Sequence, residues 1–370
     1  MQRSATIDWV IFFLYGLALG VASFHLYRTP IYAMDAVQYM GNALLMEDTE
    51  IVSVHRRVDA ELNRWVPEGA RPGLLGNQPG APQDQNDSRR QRARSPQGYA
   101  QFLSLFAIPP LYNQSIWLVS KTGMGLVRST ILISVAAYLA IGILLLVWIS
   151  RYSGAAVGSG MALLRMVSPP LIELGRELTS DAEASLIAFA SLFIFERRRL
   201  ASGLTLLRAS IFFRTDFVVL AGPTLLFGWL ERRIEFWKAS GLALVALGSV
   251  LVINHFAGDY GIKMLYYRNS IGLPLAPAEM TVQFSFHDYL SDFRSGITLA
   301  ANSFFIPFLL LGLVGVIEKE LRALFAVMLA YVILHFVVLP DWQERWVALF
   351  YLVCGICAAT LLKHQGRTTV

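Results

Sequence analysis

Arg28-Thr-Pro-Ile-Tyr-Ala-Met-Asp35-Ala-Val-Gln-Tyr39-Met-Gly-Asn-Ala-Leu44 decides how the chain is read. It follows at once on the apolar run 9–27, so an acidic side chain stands within a few residues of where that run would leave a bilayer. The pattern predicts a helix over 34–46, with Asp35 and Tyr39 one turn apart on the same face. A carboxylate held at a membrane surface beside an apolar chain suits a catalytic base. It also suits the N-cap of a short surface helix, which on local sequence is the commoner use.

The 370 residues are 55% hydrophobic and only 15% charged. Soluble domains carry about 25% charged residues. The apolar residues come in long blocks and the mean hydropathy is +0.51. These features predict an all-α polytopic membrane protein, one membrane domain over 1–370. The run 9–27 is long enough to span and lacks a good cleavage signal, so it reads as a retained helix. The net charge of +5 does not point to nucleic acid. Its basic residues sit mostly at the ends of apolar runs, where membrane topology places them. The 23 Phe, 14 Tyr and 8 Trp suit lipid contact and interfacial anchoring. Cys354 and Cys357 lie within the last apolar run. With no further ligand nearby, they read as small residues facing a neighbouring helix rather than as a redox or metal pair.

Apolar runs predict about ten membrane helices, over 9–27, 128–149, 154–171, 182–195, 200–213, 216–230, 239–256, 300–317, 323–339 and 346–362. With the N-terminus inside, short basic or charged loops at Arg151, 196–199, 231–238, 318–322 and 363–367 all fall inside, and both termini are cytoplasmic. The outer segments are then 28–127, about 172–181, 214–215, 257–299 and 340–345.

The first outer (periplasmic) loop, 28–127, has three parts. Residues 34–65 predict interfacial helices. Residues 66–97 are Pro, Gly, Gln, Asp and Arg without apolar periodicity, which predicts a mobile stretch. Its cluster Arg89-Arg-Gln-Arg-Ala-Arg94 reads as a solvated loop more readily than as a site for anionic lipid or glycan. Residues 99–117 are apolar and aromatic but broken by Pro109-Pro110, which predicts an interfacial or re-entrant element. Asn86 and Asn113 stand in N-x-S sequons, relevant only to an organelle lumen. The second large outer loop, 257–299, mixes Tyr, Arg, Asp and Pro and reads as a lid over a membrane-level cavity.

Polar groups gather close to helix ends on this one side: Asp35, then Glu173, Arg176, Glu177 and Asp181, then Arg214 and Asp216, and finally His335 and Arg345. Each has a plain alternative. Ser180 with Asp181 and Glu183 makes a fair helix start, Arg345-Trp346 is a normal interfacial anchor, and Arg214 and Asp216 satisfy each other. Together they predict one outward polar cavity that handles an anionic lipid head group.

Three features resemble the GT-C superfamily of integral-membrane glycosyltransferases. The first is Asp35-x-x-x-Tyr39 directly after a membrane helix. The second is Arg176-Glu-Leu-Thr-Ser-Asp181, a helix, the basic turn 196–199, then 200–208 leading to Phe213-Arg214-Thr-Asp216. The third is Gln343-Glu-Arg345-Trp346 before the last helix. The resemblance implies an inverting transfer of a sugar from a polyprenyl-phosphate donor on the outer face. The acceptor would be a glycan, lipid or protein. Asp35 matches the position of the family's base. Arg345 and Arg214 would stabilise the leaving phosphate. Tyr39 would position Asp35 or the sugar, Glu177 or Asp181 would meet sugar or acceptor hydroxyls, and His335 would add to the substrate-binding set. Many relatives carry an adjacent Asp-Glu pair in the first loop, whereas Ala36 follows Asp35 here. The dispersed acids indicate no metal, although some relatives use a divalent cation, and no other cofactor is implied. The expected partners are the lipid-linked donor, the acceptor and membrane lipids. The expected location is a bacterial inner membrane.

Two other readings fit the composition. A transporter or flippase for a lipid-linked sugar would also want an outward cavity with arginines, but predicts internal repeats, and no convincing repeat links the two halves. A non-catalytic scaffold in envelope biogenesis would leave Asp35 replaceable.

Overall fold

The computed structural model describes residues 2–80, 82–268, 272, 277, 280, 285–316 and 319–365. Among them the fold is helical, with one isolated bridge between Ile31 and Glu177 and no strand. In chain order the helices are α1 (Gln2–Arg28), α2 (Met34–Leu44), α3 (Ile51–Trp65), α4 (Arg71–Leu74), α5 (Gln83–Arg94), α6 (Pro96–Phe106), α7 (Pro110–Val119), α8 (Leu126–Met166) and α9 (Pro169–Arg176). They continue with α10 (Asp181–Glu196), α11 (Leu200–Phe213), α12 (Val218–Leu230), α13 (Phe236–Phe256), α14 (Gly261–Tyr266), α15 (Phe286–Ala301), α16 (Phe305–Gly315), α17 (Lys319–Val338) and α18 (Ala348–Gln365).

α18 is the centre. Every side-chain position from Val347 to Thr360 is buried, and the helix packs on α8, α16 and α17. The approach of α16 is close: a Cβ at Gly315 would come within 2.2 Å of the Cys357 carbonyl carbon, and one at Gly312 within 2.8 Å of Cys354 Sγ. Small residues at such crossings let backbones approach, and here they seat the two cysteines as packing groups. α1 is apolar all round. One side meets α8, where Tyr15 Oη donates to the Gly142 carbonyl at 2.7 Å, while Trp9, Phe13 and Phe24 stay exposed. Such a continuous apolar surface belongs against lipid or another apolar partner.

Among the described residues, four helices are long and apolar enough to cross a membrane by length and composition, or up to six if two bent pairs each count as one span. The apolar runs lead us to expect about ten. Nearly every expected span begins and ends on a helix, but α10, α11 and α12 have 16, 14 and 13 residues, short of the ~20 a straight span needs. The 41-residue α8 is broken at Gly154, whose φ of 78° and ψ of 175° leave the helical region. The run expected at 154–171 therefore becomes a short helical piece after Gly154, followed by α9. The Pro109–Pro110 step bends α6 against the helix that follows by 115°, as a re-entrant or interfacial element would be.

Residues 66–97, expected as a mobile stretch, carry α4 and α5. Two arginines of this stretch turn inward. Arg92 is buried and stacks over Phe102 at 4.1 Å, and Arg89 donates to the Gly73 carbonyl at 3.0 Å. Composition does not reveal that arginines of a polar segment turn inward in this way. The lid expected over 257–299 lies partly outside the described residues, and its described part contains α14 and most of α15. The inner loops expected at 318–322 and 363–367 also lie partly outside them.

Candidate functional site

The two segments that open the site are tied backbone to backbone. The N–H of Ile31 donates to the Arg176 carbonyl at 2.9 Å, and Arg176 Nε donates to the Thr29 carbonyl at 2.6 Å. This clamp sets the start of α2 beside the start of α10. Asp35 is not the cap of α2. Ala33 holds that position without a side-chain bond, and Asp35 falls in the first turn, where the helix dipole favours an acid. Its Oδ1 accepts instead from Arg268 Nη2 at 2.7 Å. Tyr39, one turn on, is buried against Phe106 and Tyr112, with ring centroids 5.3 and 5.0 Å away. Burial, and then the charge of Asp35, push its phenol up to about 12. At neutral pH it is a neutral hydroxyl beside the carboxylate.

α11 ends because Arg214 turns extended, with φ −156° and ψ 114°. Its Nε donates to Asp216 Oδ1 at 2.8 Å, its Nη2 meets the other oxygen, and its Nη1 meets Asp181. Asp216 in turn faces His335 Nε2 at 2.9 Å. On the final turn, Gln343 is extended and Arg345 follows in a short 3-10 helix. Arg345 Nη1 meets Glu177, and its Nε lies 3.3 Å from Asp181 Oδ2 and 2.9 Å from Gln343 Oε1. Thr179 donates to Asp181 at 2.8 Å. Asp181 therefore stands between two guanidinium groups and is the node of the network. Burying this many charges is tolerable only because each meets an opposite partner.

These groups surround one cavity of about 290 Å³. Asp35, Tyr39, Asp181, Arg214, Asp216, Arg268 and Arg345 all line it, with Phe106, Ile108 and Leu339 as apolar wall. The seven residues singled out from the sequence thus come together. Asp35, Tyr39, Asp181, Arg214 and Arg345 reach the cavity, while Glu177 and His335 stand behind it, holding Arg345 and Asp216. Glu344 points elsewhere, accepting from the Phe304 N–H at 3.0 Å and from the Tyr351 hydroxyl. Arg268 was missed. It sits in the second large loop, stacks over Phe106 at 4.4 Å and reaches back 233 residues to Asp35. Tyr266-Tyr-Arg268 was the available signal, an arginine among aromatics in a loop that otherwise reads as a cover. Among the described residues, no three His, Cys, Asp or Glu side chains are grouped to hold a metal ion.

The arrangement is suited to an anionic ligand with hydroxyl groups. Each guanidinium has five N–H donors, more than its carboxylate contacts here use, and carboxylates are acceptors for hydroxyls. No known protein family, no curated protein and no solved structure matches this chain.

Proposed function

We propose that the protein is a GT-C-type membrane glycosyltransferase that moves a sugar from a polyprenyl-phosphate donor to an acceptor hydroxyl. The reading places it in a bacterial inner membrane, with this cavity at the outer face and both termini cytoplasmic. The observation that carries it is the meeting of Asp35 with Arg214 and Arg345 around a single cavity that also has an apolar wall. A lipid-phosphate sugar presents just these needs: cations for the phosphate, acceptors for the hydroxyls, and an apolar surface for the chain.

In this reading Asp35 takes the proton from the acceptor hydroxyl as its oxygen attacks the anomeric carbon. The bond from that carbon to the phosphate oxygen breaks on the opposite side, so configuration inverts. The polyprenyl phosphate leaves with the bonding electrons, and Arg214 and Arg345 stabilise its charge. Arg268 orients Asp35 in the resting site and yields it when donor and acceptor enter. Asp181 and Glu177 hold the two phosphate-facing arginines in place, and Asp181 also offers an acceptor to a sugar hydroxyl.

The test is transfer of labelled sugar from a panel of polyprenyl-phosphate sugars by purified protein in lipid nanodiscs. The expected result is transfer by wild type and a loss of about 10²–10⁴-fold in Asp35→Asn with donor binding retained. Equal activity in the variant moves the base elsewhere. Donor movement across the bilayer of sealed proteoliposomes without transfer favours a flippase, and absence of donor binding removes the reading in favour of a scaffold.

A further inference from the structure

The helices that carry the polar network at one end carry a second cavity at the other. α10 begins at Asp181 and ends at Glu196, about 22 Å away at 1.5 Å per residue. α12 starts just after Asp216 and ends beside Glu231, and α17 carries His335 near one end and Leu324 near the other. Between these far ends lies a cavity of about 260 Å³. Its wall is apolar, from Leu192, Phe227, Leu324 and Val327. Its mouth is basic, with Arg151, Arg197, Arg198 and Arg233 against Glu196 and Glu231.

Two of those arginines are neutralised: Arg151 meets Glu196 at 3.2 Å and Arg233 meets Glu231 at 2.6 Å. Arg197 and Arg198 have no carboxylate partner among the described residues. Arg197 stacks over Phe193 at 4.1 Å. Arg198 has a φ of +60°. Its N–H donates to the Phe195 carbonyl at 3.0 Å and that of Arg199 to the Ile194 carbonyl at 3.2 Å, closing α10 in the turn where glycine is the usual residue. α12 closes in the same way, with Arg232 at φ +56°. Membrane topology accounts for basic residues at this end. It does not account for the hollow beneath them, lined by Leu192, Phe227, Leu324 and Val327.

We propose that this cavity binds a phosphate group, carried as the head of an anionic lipid. The phosphate would lie on Arg197 and Arg198, with one chain against Leu192, Phe227 and Leu324. Guanidinium groups match phosphate geometry, and a wall built mainly of Leu192, Phe227, Leu324 and Val327, with Thr224 among them, suits a ligand with an apolar tail.

The experiment is native mass spectrometry of the full chain, exchanged into phosphatidylcholine and then titrated with phosphatidylglycerol. A parallel thermal-shift titration uses inorganic phosphate. Wild type is expected to hold phosphatidylglycerol roughly 30-fold more tightly than Arg197→Gln/Arg198→Gln, with phosphatidylcholine held equally by both. Arg198→Gly provides the control for folding. It removes the guanidinium but suits the backbone, so weaker binding with an unchanged or higher melting temperature supports the site. Equal retention of phosphatidylglycerol by all three proteins overturns the proposal. Stabilisation by inorganic phosphate, lost in the double variant and without lipid preference, overturns the lipid assignment and leaves a site for free phosphate.

Discussion

The two ends of α10 use arginine in opposite ways. At the Asp181 end, guanidinium groups meet carboxylates from remote parts of the chain: Arg345 reaches Glu177 across 168 residues and Arg268 reaches Asp35 across 233. At the Glu196 end no pair spans more than 45 residues, and two arginines have no carboxylate partner among the described residues. Arg233 pairs with Glu231, Arg151 with Glu196, and Arg197 and Arg198 with no carboxylate among the described residues. Exposure follows the same division. The Arg214 side chain is 14% exposed and its partner Asp181 7%, whereas that of Arg151 is 42% exposed. A pair sheltered from water binds its elements together and is costly to break, while an exposed pair is screened and contributes little. The first end is built as a fixed network, the second as a surface open to an anion.

The largest effect expected from this contrast is at Arg214. Arg214→Ala leaves Asp181 and Asp216 without their shared cation, and should lower stability by about 3 kcal/mol. Thermal unfolding in detergent checks this, and a loss under 1 kcal/mol would show that the network does not hold α10, α12 and α17 together. A smaller effect of opposite sign is expected at Arg92, an arginine buried without an ion pair among the described residues. Burial, and next the charge of Arg268, lower its guanidinium to about 9. The folded value lies below the ordinary one, so the fold disfavours the charged form. The cost is complete below pH 9 and fades as pH rises above it. Arg92→Met should therefore stabilise by about 1 kcal/mol at pH 7, since an apolar side chain replaces a buried charge. The difference from wild type should narrow at pH 10, and melting temperatures at both values decide it. The smallest effect belongs to the Glu196 end: Arg151→Ala should cost less than about 1 kcal/mol. A loss comparable to that of Arg214→Ala would erase the distinction between the two ends.

Much of the site was legible before the fold. Asp35, Glu177, Asp181, Arg214, His335 and Arg345 stand out because ionisable residues beside long apolar runs are rare and costly. Counting helices between them predicts one shared side, and the structure brings them together around one cavity. Arg268 was not legible in this way, because nothing local marks which arginine of a long polar loop turns inward. The same limit applies to α5. Its arginines look solvated by composition, and only the position of Phe102 beneath Arg92 shows one of them to be buried. The number of spans is not fixed by the apolar runs for a related reason. Apolar runs locate helices well, but whether a helix of 13 to 16 residues crosses alone depends on what packs at its ends.

The sequence by itself determined the helical class, the positions of the long apolar helices and the residue types at their ends. Hydrophobic blocks and the polar residues that interrupt them are local properties of the chain. Only the tertiary structure decided which carboxylate each arginine meets, that Asp35 faces Arg268 rather than capping α2, and that α10, α12 and α17 carry a cavity at both ends. Those outcomes depend on side chains brought together from segments up to 233 residues apart. Charge pairing acts through space and leaves no periodic trace along the chain.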